Sequence, residues 1–327
     1  MNTYQPPFML NHAMLSTVAE IAELLGQWKQ ASKQGLLPQL RRGNRIRTIQ
    51  ASLAIEHNSL SIEQVTAVLD GKPVLGLPRE IQEVRNAFNA YEGLSRWRPH
   101  LLDDLLAAHS LLMYGLADDA GYLRAKGVGI YQNQQLVHMA PPHTQVPRLM
   151  HQLLDWIAQT KAHPLIASCA FHYELEFIHP FSDGNGRIGR LWQTLMLSHW
   201  QPMLAYLPVE TVIKSQQSLY YQTLGEADAS ADCSSFIVFM LEAIKSALQQ
   251  AIQSEAAQET TQETTQETTQ EKLILLLIQE PQLTRNQLAQ RLSLTPDGVK
   301  YHLQKLKTAG RIEHIGPKKQ GYWKVRP

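Results

Sequence analysis

The stretch His179-Pro180-Phe181-Ser182-Asp183-Gly184-Asn185-Gly186-Arg187-Ile188-Gly189-Arg190 decides how the rest of the 327-residue chain is read. A helical pattern over residues 165–177 must stop near His179-Pro180, because proline disfavours helical geometry in the residue before it, and a new helix begins near Arg187. Between them lies a loop with glycines on either side of Asn185. Glycines let a backbone approach a ligand closely, and a helix N-terminus adds positive potential, so the turn is suited to an anion. Arg187 and Arg190 are three residues apart on one helix face and could both grip phosphate oxygens. Asp183 is a carboxylate of the kind that holds a Mg²⁺ otherwise ligated by water and substrate phosphate. His179, at the far end of the loop, has a side chain suited to general-base work. No GxxxxGK[ST] string and no GxGxxG after a strand occurs, so neither a P-loop nor a dinucleotide fold is indicated.

An isolated DGNG would read as a structural turn. The whole string instead matches HPFxDGNGRxxR at all nine specified positions and resembles the signature of the Fic (filamentation induced by cAMP) family. The resemblance extends over about residues 8–248. It implies an all-α helical bundle that transfers AMP from ATP to a Ser, Thr or Tyr hydroxyl of a protein, itself included, with release of pyrophosphate. His179 would then take the hydroxyl proton. Asp183 would hold Mg²⁺ between the α- and β-phosphates. Gly184, Asn185 and Gly186 would line the anion hole, with Asn185 on the α-phosphate, and Arg187 would contact the β- and γ-phosphates.

Working outward, Val128, Ile130 and Tyr131, then Leu136, Val137 and Met139, flank a polar tip and predict a small β-hairpin closed by Pro141-Pro142. It resembles the family's flap, with Val128 and Gly129 at the nucleotide and Arg124 just upstream. Tyr220 and Tyr221, followed by Asp228, resemble the segment beside adenine and ribose, and either tyrosine could equally be a core aromatic. Ser52-Leu53-Ala54-Ile55-Glu56-His57-Asn58 resembles the inhibitory helix of the family, expected near 45–58, in which Glu56 meets Arg190 and keeps that arginine from the γ-phosphate. His57 stands where glycine is commonest. The same glutamate opens de-AMPylation as a second activity. His172 reads as a packed histidine, and Glu174 and Glu176 as a solvated helix face.

The remaining sequence frames this core. The stripe Leu15, Val18, Ala19, Ile21, Ala22, Leu25 and Trp28 predicts an amphipathic helix. Ser61 with Gln64 predicts a capping box, and helical patterns recur at 78–93, 99–116, 147–160, 187–200, 214–224 and 234–252. Residues 258–271 spell Glu-Thr-Thr-Gln repeats without a hydrophobic residue, which predicts a disordered linker over 251–271. The domains expected are thus an N-terminal helical region (1–110), a catalytic core (111–250), the linker, and a module at 272–327.

In that module a helix at 272–279 precedes one capped by Thr284 and one started by Thr295-Pro296. A hairpin follows, predicting a winged helix-turn-helix. Residues 281–327 carry 10 basic and 2 acidic side chains, against 20 and 27 in residues 1–280. Lys300, Tyr301, Gln304, Lys305 and Lys307, with Lys318 and Lys319 on the wing, suit a phosphate backbone, leaving DNA and protein both open as partners. Cys169 and Cys233 read as free thiols. With no signal peptide and no aliphatic run longer than 273–278, the expectation is a cytoplasmic protein without a membrane partner. A homodimer is left open.

Overall fold

The computed structural model describes residues 4–31, 38–132, 135–317 and 321–325, with the side chains of 31, 38–39, 130–132, 135–138 and 256–268 outside the described set. Two compact units divide the chain, Met1–Ile252 and Gln253–Pro327.

In the first unit, α1 (His12–Ala31), α2 (Pro38–Ile55), α3 (Ile62–Leu69), α4 (Pro78–Glu92) and α5 (Leu102–Leu112) precede the hairpin β1 (Gly129–Gln132) and β2 (Gln135–Met139). Then come α6 (Val146–Gln159), α7 (Pro164–Ile178), α8 (Asn185–Trp200), α9 (Val209–Ser215), α10 (Gln217–Ser230) and the start of α11 (Ser234–Gln279). The architecture is all-α with a small antiparallel hairpin, Gly129 facing Met139. Local chemistry sets several boundaries. Ser61 and Gln64 form the predicted reciprocal cap of α3, and Pro164 and Pro78 occupy first-turn positions where a missing N–H costs nothing.

Helices α7 and α8 pack against each other at the centre of the unit. Both are buried on nearly every face, from Leu165 to Leu175 and from Arg187 to Leu197. The other helices wrap them and give the motif loop a rigid base. Ile21, Leu25 and Trp28 of the expected α1 stripe are buried, but in the first turns Met14 and Thr17 face the core, whereas Leu15 is exposed. Asn11 accepts from the Met14 N–H at 2.9 Å and sets the start of this helix. The 214–224 pattern resolves into two helices that break at Gln216.

Helix α11 runs Ser234–Gln279, so the Glu-Thr-Thr-Gln repeat, expected to be disordered, is helical. Lack of apolar residues excludes burial, not helix. Glu and Gln are good helix formers, and 234–279 contains neither Gly nor Pro. Its segment Ser234–Glu255 is long and apolar enough to cross a membrane, but 56% of it is buried inside the protein, as the core positions of Phe236, Ile237, Met240, Leu241 and Ile244 require.

The second unit contains α12 (Arg285–Arg291), α13 (Pro296–Thr308), β3 (Ile312–Ile315) and β4 (Tyr322–Val325). Thr284 and Thr295 cap the two helices as expected. Leu273, Leu277, Leu288, Val299, Leu303, Leu306 and Ile312 form a separate core. The fold is the predicted winged helix-turn-helix. Lys300, Tyr301, Gln304, Lys305 and Lys307 are exposed on α13, while Lys318 and Lys319 lie outside the described residues.

Candidate active site

The motif loop is held by its own side chains. Asn185 Oδ1 accepts from Phe181 N–H at 3.0 Å, and its Nδ2 donates to Phe181 O at 2.9 Å. Both polar ends are thus used within the loop, and the side chain is buried. The side chain closes the turn, and what Asn185 offers an anion is its main-chain N–H at the start of α8. Gly184 has φ of 85°, and a Cβ there would lie 2.7 Å from Met113 Sδ, so only glycine fits. Beneath the loop His109 stacks on Phe181 with centroids 3.6 Å apart. Its Nδ1 accepts from Gly121 N–H, which leaves the proton on Nε2 to donate to Asp183 O at 2.9 Å. Burial lowers the His109 pKa to about 4, so it supports the loop as a neutral ring.

His179 caps α7 in the left-handed region, with φ of 49°, a conformation uncommon for a side-chain-bearing residue. Its Nδ1 lies 3.3 Å from Glu176 O. A carbonyl can only accept, so Nδ1 carries the proton and Nε2 the lone pair, the tautomer a general base needs. Arg124 fixes this corner. Its guanidinium donates to the carbonyls of His179 (2.7 Å), Ile178 (3.3 Å), Lys126 (2.8 Å) and Pro141 (2.5 Å). The end of α7 is thereby tied to both feet of the hairpin.

Asp183 is 44% exposed, and both its oxygens are paired, one with Arg187 at 2.7 Å and the other with Arg79 at 3.2 Å. Arg187 also faces Glu83 at 3.5 Å, and its Nε is buried without a hydrogen-bond partner among the described residues. Arg79 and Glu83, both on α4, carry no sequence signal that ties them to the motif. No cluster of three acidic, histidine or cysteine side chains that could hold a metal exists among the described residues. Asp183 alone therefore fits only an ion that takes its other ligands from water and phosphate, as Mg²⁺ does.

Arg190 is buried, donating from Nε to Ser52 Oγ (3.0 Å) and from Nη2 to Ser52 O (3.1 Å) and Glu56 Oε1 (2.7 Å). Burial disfavours its charge, but the charge of Glu56 and the bond to it more than restore it, leaving the pKa above the ordinary value. Glu56 lies directly over the loop. A Cβ on Gly186 would collide with its Oε1 and come within 2.9 Å of Arg190 Nη1. The carboxylate therefore sits where an anion held by Gly186 and Arg190 would lie.

Glu56 is the C-cap of α2. Asn58 N–H donates to Leu53 O and His57 N–H to Ala54 O, which is a Schellman motif with His57 at the left-handed position, φ 69°. Lys214 and Gln217 bond the carbonyls of Ala54 and Ile55, and Asn58 donates to Glu83 at 2.8 Å. Glu56 is thus fixed by the helix end. His57 is exposed and occupies a glycine position, so His57→Gly is expected to raise the melting temperature by about 1–3 °C, relief of a strain of roughly 1 kcal/mol. An unchanged or lower value in a thermal melt would place the cap elsewhere.

Tyr220 belongs to the core. It is buried against Phe236 and Phe239, and its hydroxyl meets His172 Nε2 at 3.0 Å. It does not line a nucleotide site. Tyr221 is 39% exposed, and its pKa is raised by burial and then by the charge of Glu56. His172 is packed as expected, its pKa lowered to about 4 by burial.

Glu174 and Glu176 contradict the expectation of a solvated face. Glu176 is largely covered, and Glu174 is buried, accepting from Tyr4 OH, because α7 is a central helix with no solvent side. Burial raises the Glu174 pKa to about 7. A raised carboxyl pKa favours the folded state below the unfolded value of about 4.3, and this contribution fades as pH rises through 7. The advantage of Glu174→Gln over wild type should therefore grow between pH 5 and pH 8, by on the order of 2 kcal/mol or several degrees. Parallel melting curves at all pH values would contradict this.

The comparisons place this geometry in a family. The sequence profile of the Fic/DOC family matches residues 99–197, and that of winged helix-turn-helix DNA-binding domains matches 266–313. A crystal structure of a Fic family protein from Desulfovibrio desulfuricans G20 is 48% identical over 99% of this chain and 98% of its own, with a TM-score of 0.78. The chain belongs to the Fic family. It is also 25% identical over 210 residues to protein adenylyltransferase Fic of Nematostella vectensis, covering 59% of this chain and 45% of that protein. With protein adenylyltransferase fic-1 of Caenorhabditis elegans it shares 29% over 189 residues, 54% and 36% of the two chains. The chain thus spans less than half the length of these curated relatives.

Proposed function

We propose that the chain is an auto-inhibited protein adenylyltransferase that moves AMP from ATP to a protein hydroxyl, including one of its own. The observation that carries this reading is the Glu56 carboxylate, seated on Gly186 and bonded to Arg190 at 2.7 Å, where the motif would hold an anion. The names of the curated relatives support the reaction type.

In this reading His179 Nε2 takes the proton of the target hydroxyl as that oxygen attacks the α-phosphorus. The bond from phosphorus to the oxygen bridging to the β-phosphate breaks, and pyrophosphate leaves. Asp183 would hold a Mg²⁺, which would supply charge neutralisation at the phosphates. The N–H groups of the Gly184–Gly186 turn and Arg187 hold oxygens as charge shifts during transfer. For this, Arg187 Nη2 must release Asp183 to the phosphate, while Nη1 keeps its contact with Glu83 at 3.5 Å. The hairpin offers an edge on which a target segment can add as a strand. Labelling by α-labelled ATP in the presence and absence of Glu56 tests the proposal.

A second reading, duplex DNA binding by the C-terminal unit, is favoured by the exposed row Lys300, Tyr301, Gln304 and Lys305 on α13 and by the profile it matches. Affinity of the full chain for duplex DNA should fall steeply with salt. No binding at low salt would remove this reading and favour a protein partner.

A further inference from the structure

A cavity of about 770 Å³ opens at the end of α2 opposite Glu56 and is lined by residues that neither the motif nor the Glu56 contact uses. Lys29 from α1, Arg41 and Arg45 from α2 and Glu92 from α4 converge on it, above a floor that includes Met203 and Tyr206. Arg41 and Arg45 stand four apart, a spacing at which like charges on a helix repel. Both guanidiniums nonetheless lie over the same Tyr206 ring, at 5.4 and 5.0 Å.

Arg45 is buried and also lies over Tyr91 at 5.1 Å, and its Nη1 is spent on Ala205 O. Its Nε lies 3.5 Å from the exposed Glu92 carboxylate without forming a hydrogen bond, and has no other partner among the described residues. Three cations and one carboxylate line the cavity, and the buried Glu210, bonded to the Tyr91 on which Arg45 lies, also acts on Arg45, so a positive surplus remains around the aromatic floor. Arg190 is matched by Glu56 and Ser52, and Arg124 by four carbonyls, whereas the Nε of Arg45, like that of Arg187 at the motif, has no hydrogen-bond partner among the described residues.

We propose that this cavity binds a small phosphate monoester. Its anionic head meets the positive surplus through Arg41, Arg45 and Lys29, since guanidiniums match phosphate oxygens in pairs. Its planar or apolar remainder lies on Tyr206 and Met203. The volume falls within the range of ordinary small-molecule sites. The proposal is independent of the reaction assigned to the motif.

The test is calorimetric titration of the full chain with phenyl phosphate and with inorganic phosphate. Three proteins are compared: wild type, Lys29→Gln/Arg41→Gln, and Arg187→Gln as a control for the motif. Lys29 and Arg41 are exposed, so their replacement leaves the core untouched. Expected is phenyl phosphate binding that is tighter than that of inorganic phosphate, at least tenfold weaker in the double variant and unchanged in Arg187→Gln. Binding that survives the double variant or disappears in Arg187→Gln would overturn the proposal, as would no binding at all.

Discussion

A Glu56→Gly protein is expected to transfer AMP about 10 to 150 times faster than the wild type. The magnitude follows from what a phosphate must displace. A hydrogen bond to a charged group contributes about 1.5–3 kcal/mol, and each 1.4 kcal/mol is a tenfold change in affinity or rate. In the folded protein Glu56 holds Arg190 at 2.7 Å, and an incoming γ-phosphate must break that bond before it can use the arginine. Removal of the carboxylate also clears the space against Gly186. Arg190 keeps its two bonds to Ser52, so it stays oriented rather than collapsing. The gain should appear as tighter ATP binding together with faster transfer. A variant that binds and transfers no better than wild type would remove the brake from the account.

The second large effect is the opposite. His179→Ala is expected to lower transfer by about 10²- to 10⁴-fold, the usual range for loss of a positioned general base, with little change in ATP affinity. The reason lies in the division of labour at the loop. The groups that hold phosphate are main-chain N–H groups and Arg187, whereas His179 stands outside the turn, aimed by the left-handed cap of α7 and by its bond to Glu176 O. Its removal takes away a proton acceptor and leaves the cradle closed by Asn185. Equal losses in ATP affinity and in rate would mean that His179 shapes the loop instead.

The loop, its flanking helices and the caps at Ser61, Thr284 and Thr295 are legible in the sequence because each depends on residues within four positions of one another. The partner of Arg190 is a different matter. It stands 134 residues away, and only the resemblance of residues 52–58 to a known helix pointed to it. Arg79, Glu83 and His109 had no signal at all: their roles arise where α4 and α5 pack beneath the loop, and no local pattern encodes that. Tyr220 and Tyr221 are adjacent in sequence, and only the packing of α10 on α11 decides which is buried. Glu174 shows the same limit from the other side. Its charge suggests a solvated face, but α7 is enclosed all round, so the carboxyl is forced inward against Tyr4. The helical run through 256–268 shows that a polar repeat excludes a buried face without excluding a helix.

The most direct test incubates purified wild type, Glu56→Gly and Glu56→Gly/His179→Ala with α-labelled ATP and Mg²⁺, and measures label on the protein. The account predicts weak labelling of wild type, labelling of the single variant at least tenfold stronger, and loss of label in the double variant. Label on the double variant as strong as on the single, or none on Glu56→Gly beyond the wild-type level, would contradict it.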